Sequence, residues 1–128
     1  MSQNRAWEAV QLGKPPAGAY SPAVRAGDFL FLSGQVPVDP ETGQLIGGDV
    51  AAQTHAVIDR IERLLAAAGA LLSDVVSVTA YLADINDWDA FNQAYKTRFQ
   101  QPFPSRTTVG VGLHGFLVEI TVIAYLPD

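Results

Sequence analysis

Apolar residues recur along this chain with two different periods. Between Asp49 and Gly69 the positions Val50, Thr54, Val57, Ile58, Ile61, Leu64, Leu65 and Ala68 follow the helical repeat, which predicts a helix capped by Asp49 and ended by Gly69. His55, Asp59, Glu62 and Arg63 fall on its opposite, solvated side, with Asp59 and Arg63 spaced for an i,i+4 ion pair. In "DWDAFNQAYKTRF" the stripe Trp88, Phe91, Tyr95 and Phe99 has the spacing of a core-facing helix. Asn86 with Asp89 three residues on reads as its capping box, and Asn92 sits at the edge of the stripe. Elsewhere the period is two. "VRAGD" reads as a turn leading into the strand "FLFLSGQVPVD", in which Phe29, Phe31, Ser33 and Gln35 point one way and Leu30, Leu32, Gly34 and Val36 the other. "DVVSVTAYL", "TTVGV" and "FLVEITVIAYL" are three further strand patterns. Strands, helix, strand, helix, strands make an α+β layer in which two helices cover only one face of a sheet. Closed self-association is the economical way to bury the other face.

The last two strands carry the chemistry. Alternation puts Thr107, Val109 and Val111 on one side of the fifth strand and Arg106, Thr108 and Gly110 on the other. In the final strand Val118, Ile120, Val122 and Ala124 oppose Leu117, Glu119 and Thr121. If "GLHG" closes a hairpin and both apolar sets face the helices, then Arg106, Thr108, Gly110, Glu119 and Thr121 share one surface. A guanidinium, hydroxyls and a gap left by glycine suit a small carboxylate, which arginine grips through two parallel hydrogen bonds. Glu119 would serve there as a base toward water. The plainer alternative is an ion pair between Arg106 and Glu119 at a subunit interface. His114, in the connecting loop, has no partner that would make it an acid or base.

Composition narrows the field. The 128 residues fit one domain spanning residues 1–128. With 48% hydrophobic and 16% charged residues the chain is folded and low in surface charge. A net charge of −5 with scattered basic residues argues against nucleic acid as a partner. There is no cysteine, and two separated histidines make a poor metal set, so neither a thiolate nucleophile nor a metal is expected. "MSQNRAW" lacks the apolar stretch of a secretory leader and "LLAAAGALL" is too short to cross a bilayer, so the expected location is the cytoplasm, with no membrane partner.

Taken together, "AYSPAV", "FLFLSGQVPVDPETGQLIGGD", "DVVSVTAYLADINDWDAFNQAY", "PSRTTV" and "LVEI" resemble the RidA/YjgF family over nearly the whole chain. The resemblance implies a chorismate-mutase-like α+β subunit, a mixed sheet of about six strands with two helices on one face. It further implies a homotrimer whose sheets face inward and whose ligand clefts lie between subunits. The implied activity is hydrolysis of reactive enamines or imines to a keto acid and ammonia, without a cofactor. Carried over by motif, Arg106 resembles the arginine that clamps the substrate carboxylate and Glu119 the acid that positions water. Tyr20, Ser33, Gly34, Asn92 and Thr108 resemble the substrate-binding set.

Two departures from the family pattern bear on the substrate. The segment between Asn92 and Arg106 is short, and "VGVGLHGF" stands where members carry a longer stretch with "ARLP". Both lie near the implied cleft, and they leave open a pathway-specific enamine such as 2-aminomuconate in place of 2-aminoacrylate. Two other function classes remain open at this level: a trimeric module that binds small carboxylates without turnover, and a ribonuclease or translation inhibitor. The second needs phosphate-neutralising groups that an acidic chain supplies poorly.

Overall fold

A computed structural model describes residues 6–127. Part of the amino-terminal segment read above for a leader therefore lies outside the described residues. Six strands, β1 (Trp7–Val10), β2 (Ala23–Ala26), β3 (Phe29–Leu32), β4 (Val75–Leu82), β5 (Ser105–Gly110) and β6 (Val118–Tyr125), form one mixed sheet in the order β1-β2-β3-β6-β4-β5. Helices α1 (Val50–Ala67) and α2 (Trp88–Lys96) connect β3 to β4 and β4 to β5. The expected α+β architecture is thus what forms.

Helix α1 starts where Asp49 accepts a hydrogen bond from the Ala52 N–H at 2.9 Å, and it stops at Gly69, whose φ of 86° lets the chain turn away. Its face Val57, Ile58, Ile61 and Leu65 is fully buried against Leu30, Val78, Ala80, Val118, Ile120 and Val122 of the sheet. Each such side chain contributes roughly 1.5–3 kcal/mol through burial, so this layer carries the fold. Phe91, Tyr95 and Phe99 extend the same core, whereas Trp88 remains 39% exposed.

Three local expectations are corrected. Asp59 pairs with Arg98 from the end of α2, at 2.6 Å, rather than with Arg63. Arg98 also reaches Glu62 at 2.7 Å and His55 Nδ1 at 3.1 Å, so one guanidinium ties the two helices together and His55 is not simply solvated. The turn before α2 is capped by Asp84, which accepts from the Asn86 N–H at 2.9 Å, and Asn86 does not cap the helix. Asp84 stands at the extended residue where the chain leaves β4, the position from which a carboxylate reaches the first free N–H groups.

The larger correction concerns β5 and β6. They do not form a hairpin: β4 lies between them, parallel to β5 and antiparallel to β6. A parallel pair needs a crossover connection, and α2 is that crossover. The register places Arg106 beside Val78 and Val78 beside Val122, then Thr108 beside Ala80 and Ala80 beside Ile120. Arg106 and Thr108 are therefore on the helix-covered face. Val109 lies in the row of Tyr81 and Glu119 on the open face, where Val109 and Val111 stay 38% and 43% exposed. A single step of phase has moved every side chain of β5 to the other side.

Candidate active site

Two groups of polar residues emerge, one on each side of the sheet. The first is assembled around a bulge. From Phe31, opposite Ile123, to Gln35, opposite Ile120, one line of chain advances four residues while β6 advances three. The extra residue at Ser33–Gly34 reverses the alternation, so Gln35 turns inward and is buried instead of joining Phe29 and Phe31 on the open face. Gln35 Nε2 then donates to the Ser33 carbonyl at 2.8 Å, and Arg60 Nε donates to Gln35 Oε1 at 2.7 Å. The Ser33 hydroxyl donates to the Ser21 carbonyl at 2.7 Å.

That bulge presents bare backbone to Glu119. A Cβ on Gly34 would collide with Glu119 Oε2 and would lie 3.2 Å from Thr121 Oγ1. Gly34 is needed for space and not for its dihedral freedom, since its φ is not in the left-handed region. Among the described residues no donor is bonded to the Glu119 carboxylate, and burial pushes its carboxyl above the ordinary carboxylate value. Tyr20, Ser33, Gly34 and Glu119 line one cleft of about 790 Å³, with Lys14 and Arg60 also on its walls.

The second group is held by α2 over the edge strand. Arg106 Nη1 donates to Asn92 Oδ1 at 2.9 Å. The guanidinium carbon lies 4.6 Å from the centre of the Tyr95 ring, 5.4 Å from Phe91 and 5.5 Å from Trp88. Asn92 follows Trp88 by four residues and Phe91 by one, so the helical repeat brings rings and amide over the same neighbour. Two hydroxyls in this region, Thr108 Oγ1 and Tyr95 Oη, are buried without a hydrogen-bond partner. Burial pushes the Tyr95 phenol up to about 12, against the opposing pull of the Arg106 charge, so it stays a neutral hydroxyl.

The seven residues expected from sequence thus divide. Tyr20, Ser33, Gly34 and Glu119 share the cleft, while Asn92, Arg106 and Thr108 gather under α2, and none of these three lines that cleft. Within one chain Arg106 and Glu119 neither share a surface nor pair. Gly110 does not open ligand space, because a Cβ there would meet Ile85 Cβ at 3.1 Å. The rings around Arg106 went unrecognised as site residues because their spacing is that of ordinary core. Asn92 embedded among them was the available signal. Among the described residues no cluster of three metal-ligating side chains occurs, and no helix is long and apolar enough to cross a membrane.

The fold defines a class by its architecture, a six-stranded mixed sheet with two crossover helices and, among the described residues, an acid in a cleft and an arginine paired with no carboxylate. The Endoribonuclease L-PSP family model matches residues 12–126, and the chain belongs to this family, the RidA/YjgF family. It is 45% identical over 112 residues to a RutC family protein of Pyrococcus horikoshii, covering 86% of this chain and 89% of the relative. It is 40% identical over 119 residues to the 2-iminobutanoate/2-iminopropanoate deaminase of Rattus norvegicus, covering 90% and 87%. The solved YjgF gene product of E. coli superposes with a TM-score of 0.82 at 33% identity, covering 92% of this chain and 98% of that one.

Proposed function

We propose that the protein hydrolyses carboxylate-bearing enamines and imines to a keto acid and ammonia, in sites completed between copies of the chain in a homotrimer. The observation that carries this reading is the separation of Arg106 from Glu119. They lie on opposite faces, two strand spacings or about 10 Å apart across the sheet and about 10 Å along it. A substrate of a few carbon atoms cannot touch both within one chain. The open face also presents Trp7, Phe29, Phe31, Tyr125 and Val109, all more than a third exposed, an apolar surface of the kind that subunit contacts bury. The rat deaminase at 40% identity adds support for the reaction class.

The chemistry asked of these residues is modest. The enamine takes a proton on carbon to become the imine. Arg106 holds the carboxylate, which fixes the imine carbon relative to Glu119. Glu119, as carboxylate, accepts a proton from water while the water oxygen bonds to that carbon. That proton passes to the imine nitrogen to complete the carbinolamine. Glu119 then carries the hydroxyl proton of the carbinolamine to nitrogen as the C–N bond breaks, so ammonia leaves and the carbonyl forms. A carboxyl raised by burial is a stronger base than an ordinary carboxylate, which suits it to take a proton and give it back. A ribonuclease reading is disfavoured by the net charge of −5. The divergent segment 109–116 leaves the side chain of the enamine, 2-aminomuconate included, as the specificity question.

Mixed oligomers provide the test. Arg106→Ala and Glu119→Gln, each inactive alone on 2-iminopropanoate generated in situ, are unfolded together and refolded. Recovery of ammonia release in the mixture, with a trimer mass by analytical ultracentrifugation, is the expected result. No recovery from a correctly assembled mixture rejects a shared site, and a wild type no faster than the uncatalysed reaction rejects the deaminase reading.

A further inference from the structure

We infer that Trp88, Phe91 and Tyr95 form an aromatic cage whose function is to position Arg106 for carboxylate recognition while leaving its charge uncancelled. The inference rests on the clamp role proposed above for Arg106 and assigns residues to it that the family pattern does not.

A half-buried guanidinium is ordinarily held by a carboxylate, which fixes it well but occupies the donors a ligand would need. Arg106 is held otherwise. Among the described residues no acid pairs with it, and its one hydrogen bond is from Nη1 to the neutral amide oxygen of Asn92. Nε and Nη2, the two donors of one straight edge, remain unengaged among those residues, which is the edge a carboxylate takes up with two parallel bonds. The three ring centres at 4.6, 5.4 and 5.5 Å supply the rest of the restraint. Their quadrupoles attract a cation without bonding to its N–H groups.

The rings differ in what they can contribute. Phe91 and Tyr95 are core residues, and Tyr95 also stacks on Phe99 with centroids 4.5 Å apart, so both are rigid supports. Trp88 begins α2 and is 39% exposed, so it can be replaced with little loss of packing. Of the two ring contacts that α2 makes in its first turn, it is the one that stability alone does not require. The raised phenol of Tyr95, at about 12, keeps that ring neutral, and the cage therefore never becomes an anion that would compete with the ligand.

The test uses pyruvate as probe, binding measured by calorimetry on the intact oligomer, together with steady-state kinetics on 2-iminopropanoate. Trp88→Leu is expected to raise the pyruvate Kd and the KM by about 3- to 30-fold, the range of a cation–π contact, with kcat within about twofold. Trp88→Phe, which keeps a ring, is expected to restore both to within about twofold of wild type. A structural readout separates positioning from packing. The Arg106 Nε–H proton resonance, shifted upfield by the ring currents in wild type, is expected to move downfield and broaden in Trp88→Leu and to recover in Trp88→Phe. If Arg106→Ala abolishes pyruvate binding while Trp88→Leu leaves Kd, KM and the Nε–H resonance as in wild type, the cage is overturned and the clamp stands. If Arg106→Ala binds pyruvate as wild type does, the clamp itself falls and the cage with it.

Discussion

Glu119, on an interior strand, and Arg106, on an edge strand, are both half-buried charges of one sheet, yet the fold treats them in opposite ways. Among the described residues the acid has no donor, and it is pressed against bare backbone at Gly34, so that burial makes its charge costly. The base is surrounded by three rings and an amide that accept its charge without cancelling it. In the site proposed above, an acid that exchanges a proton and a cation that binds an anion are complementary, and assembly of the chains would bring them together.

The largest expected effect comes from removing the proton acceptor. Glu119→Gln should lower kcat on 2-iminopropanoate by about a hundredfold, toward the uncatalysed rate, with KM nearly unchanged. A variant retaining more than half of wild-type kcat would remove Glu119 from the reaction. The same substitution should alter stability with a definite sign. A carboxyl whose folded pKa is raised holds its proton longer in the folded chain, so its favourable contribution is present below about pH 4 and is lost as pH rises through the folded value. Wild type should therefore lose stability relative to Glu119→Gln as pH rises above about 4 in urea titrations. A difference that runs the other way would mean that the carboxylate is stabilised by a donor.

Next in size is the cation. Arg106→Lys keeps the charge but loses the two-donor edge and the flat contact with the rings, and should raise KM about tenfold or more while leaving kcat within about threefold. Equal loss in kcat would place Arg106 in the chemical step rather than in binding.

Gly34→Ala probes the close approach on the acid's side. The new methyl must displace the Glu119 carboxylate, and we expect about a tenfold loss of kcat with about 1–3 kcal/mol of destabilisation by urea titration. A fully active variant would mean that Glu119 can act from elsewhere. Gly110→Ala is the matched control at the edge of the other group. Its methyl meets Ile85 at 3.1 Å, which should cost at most about 1 kcal/mol and leave KM unaltered. A rise in KM there would return Gly110 to the binding surface.

How far these residues were legible follows from the range of the interactions that place them. Asp49 and Gly69 bound α1 through contacts within a few residues, and the spacing that names them is enough. The apolar faces of α1 and β6 are equally local, because each has one buried side and the repeat states which. The bulge at Ser33–Gly34 is different. Nothing in "FLFLSGQ" marks where alternation breaks, since the break exists only relative to Ile120 and Ile123 across the sheet. Asp59 likewise found Arg98, in the turn that follows α2, in preference to Arg63 one turn away.

The sharpest case is β5. Alternation in "SRTTVGV" correctly separates Arg106, Thr108 and Gly110 from Thr107, Val109 and Val111, but says nothing of which set turns inward. Hydrophobicity favours the valines, and the fold chose the arginine, because the α2 crossover places β5 parallel to β4 and covers that side with Trp88, Phe91, Asn92 and Tyr95. The chain's own letters point to its helices, its family and its strands apart from β1, and they single out the two charges to which the proposed function is assigned. Which face each charge occupies depends on strand neighbours far away in sequence, and periodicity within a strand carries no record of those neighbours.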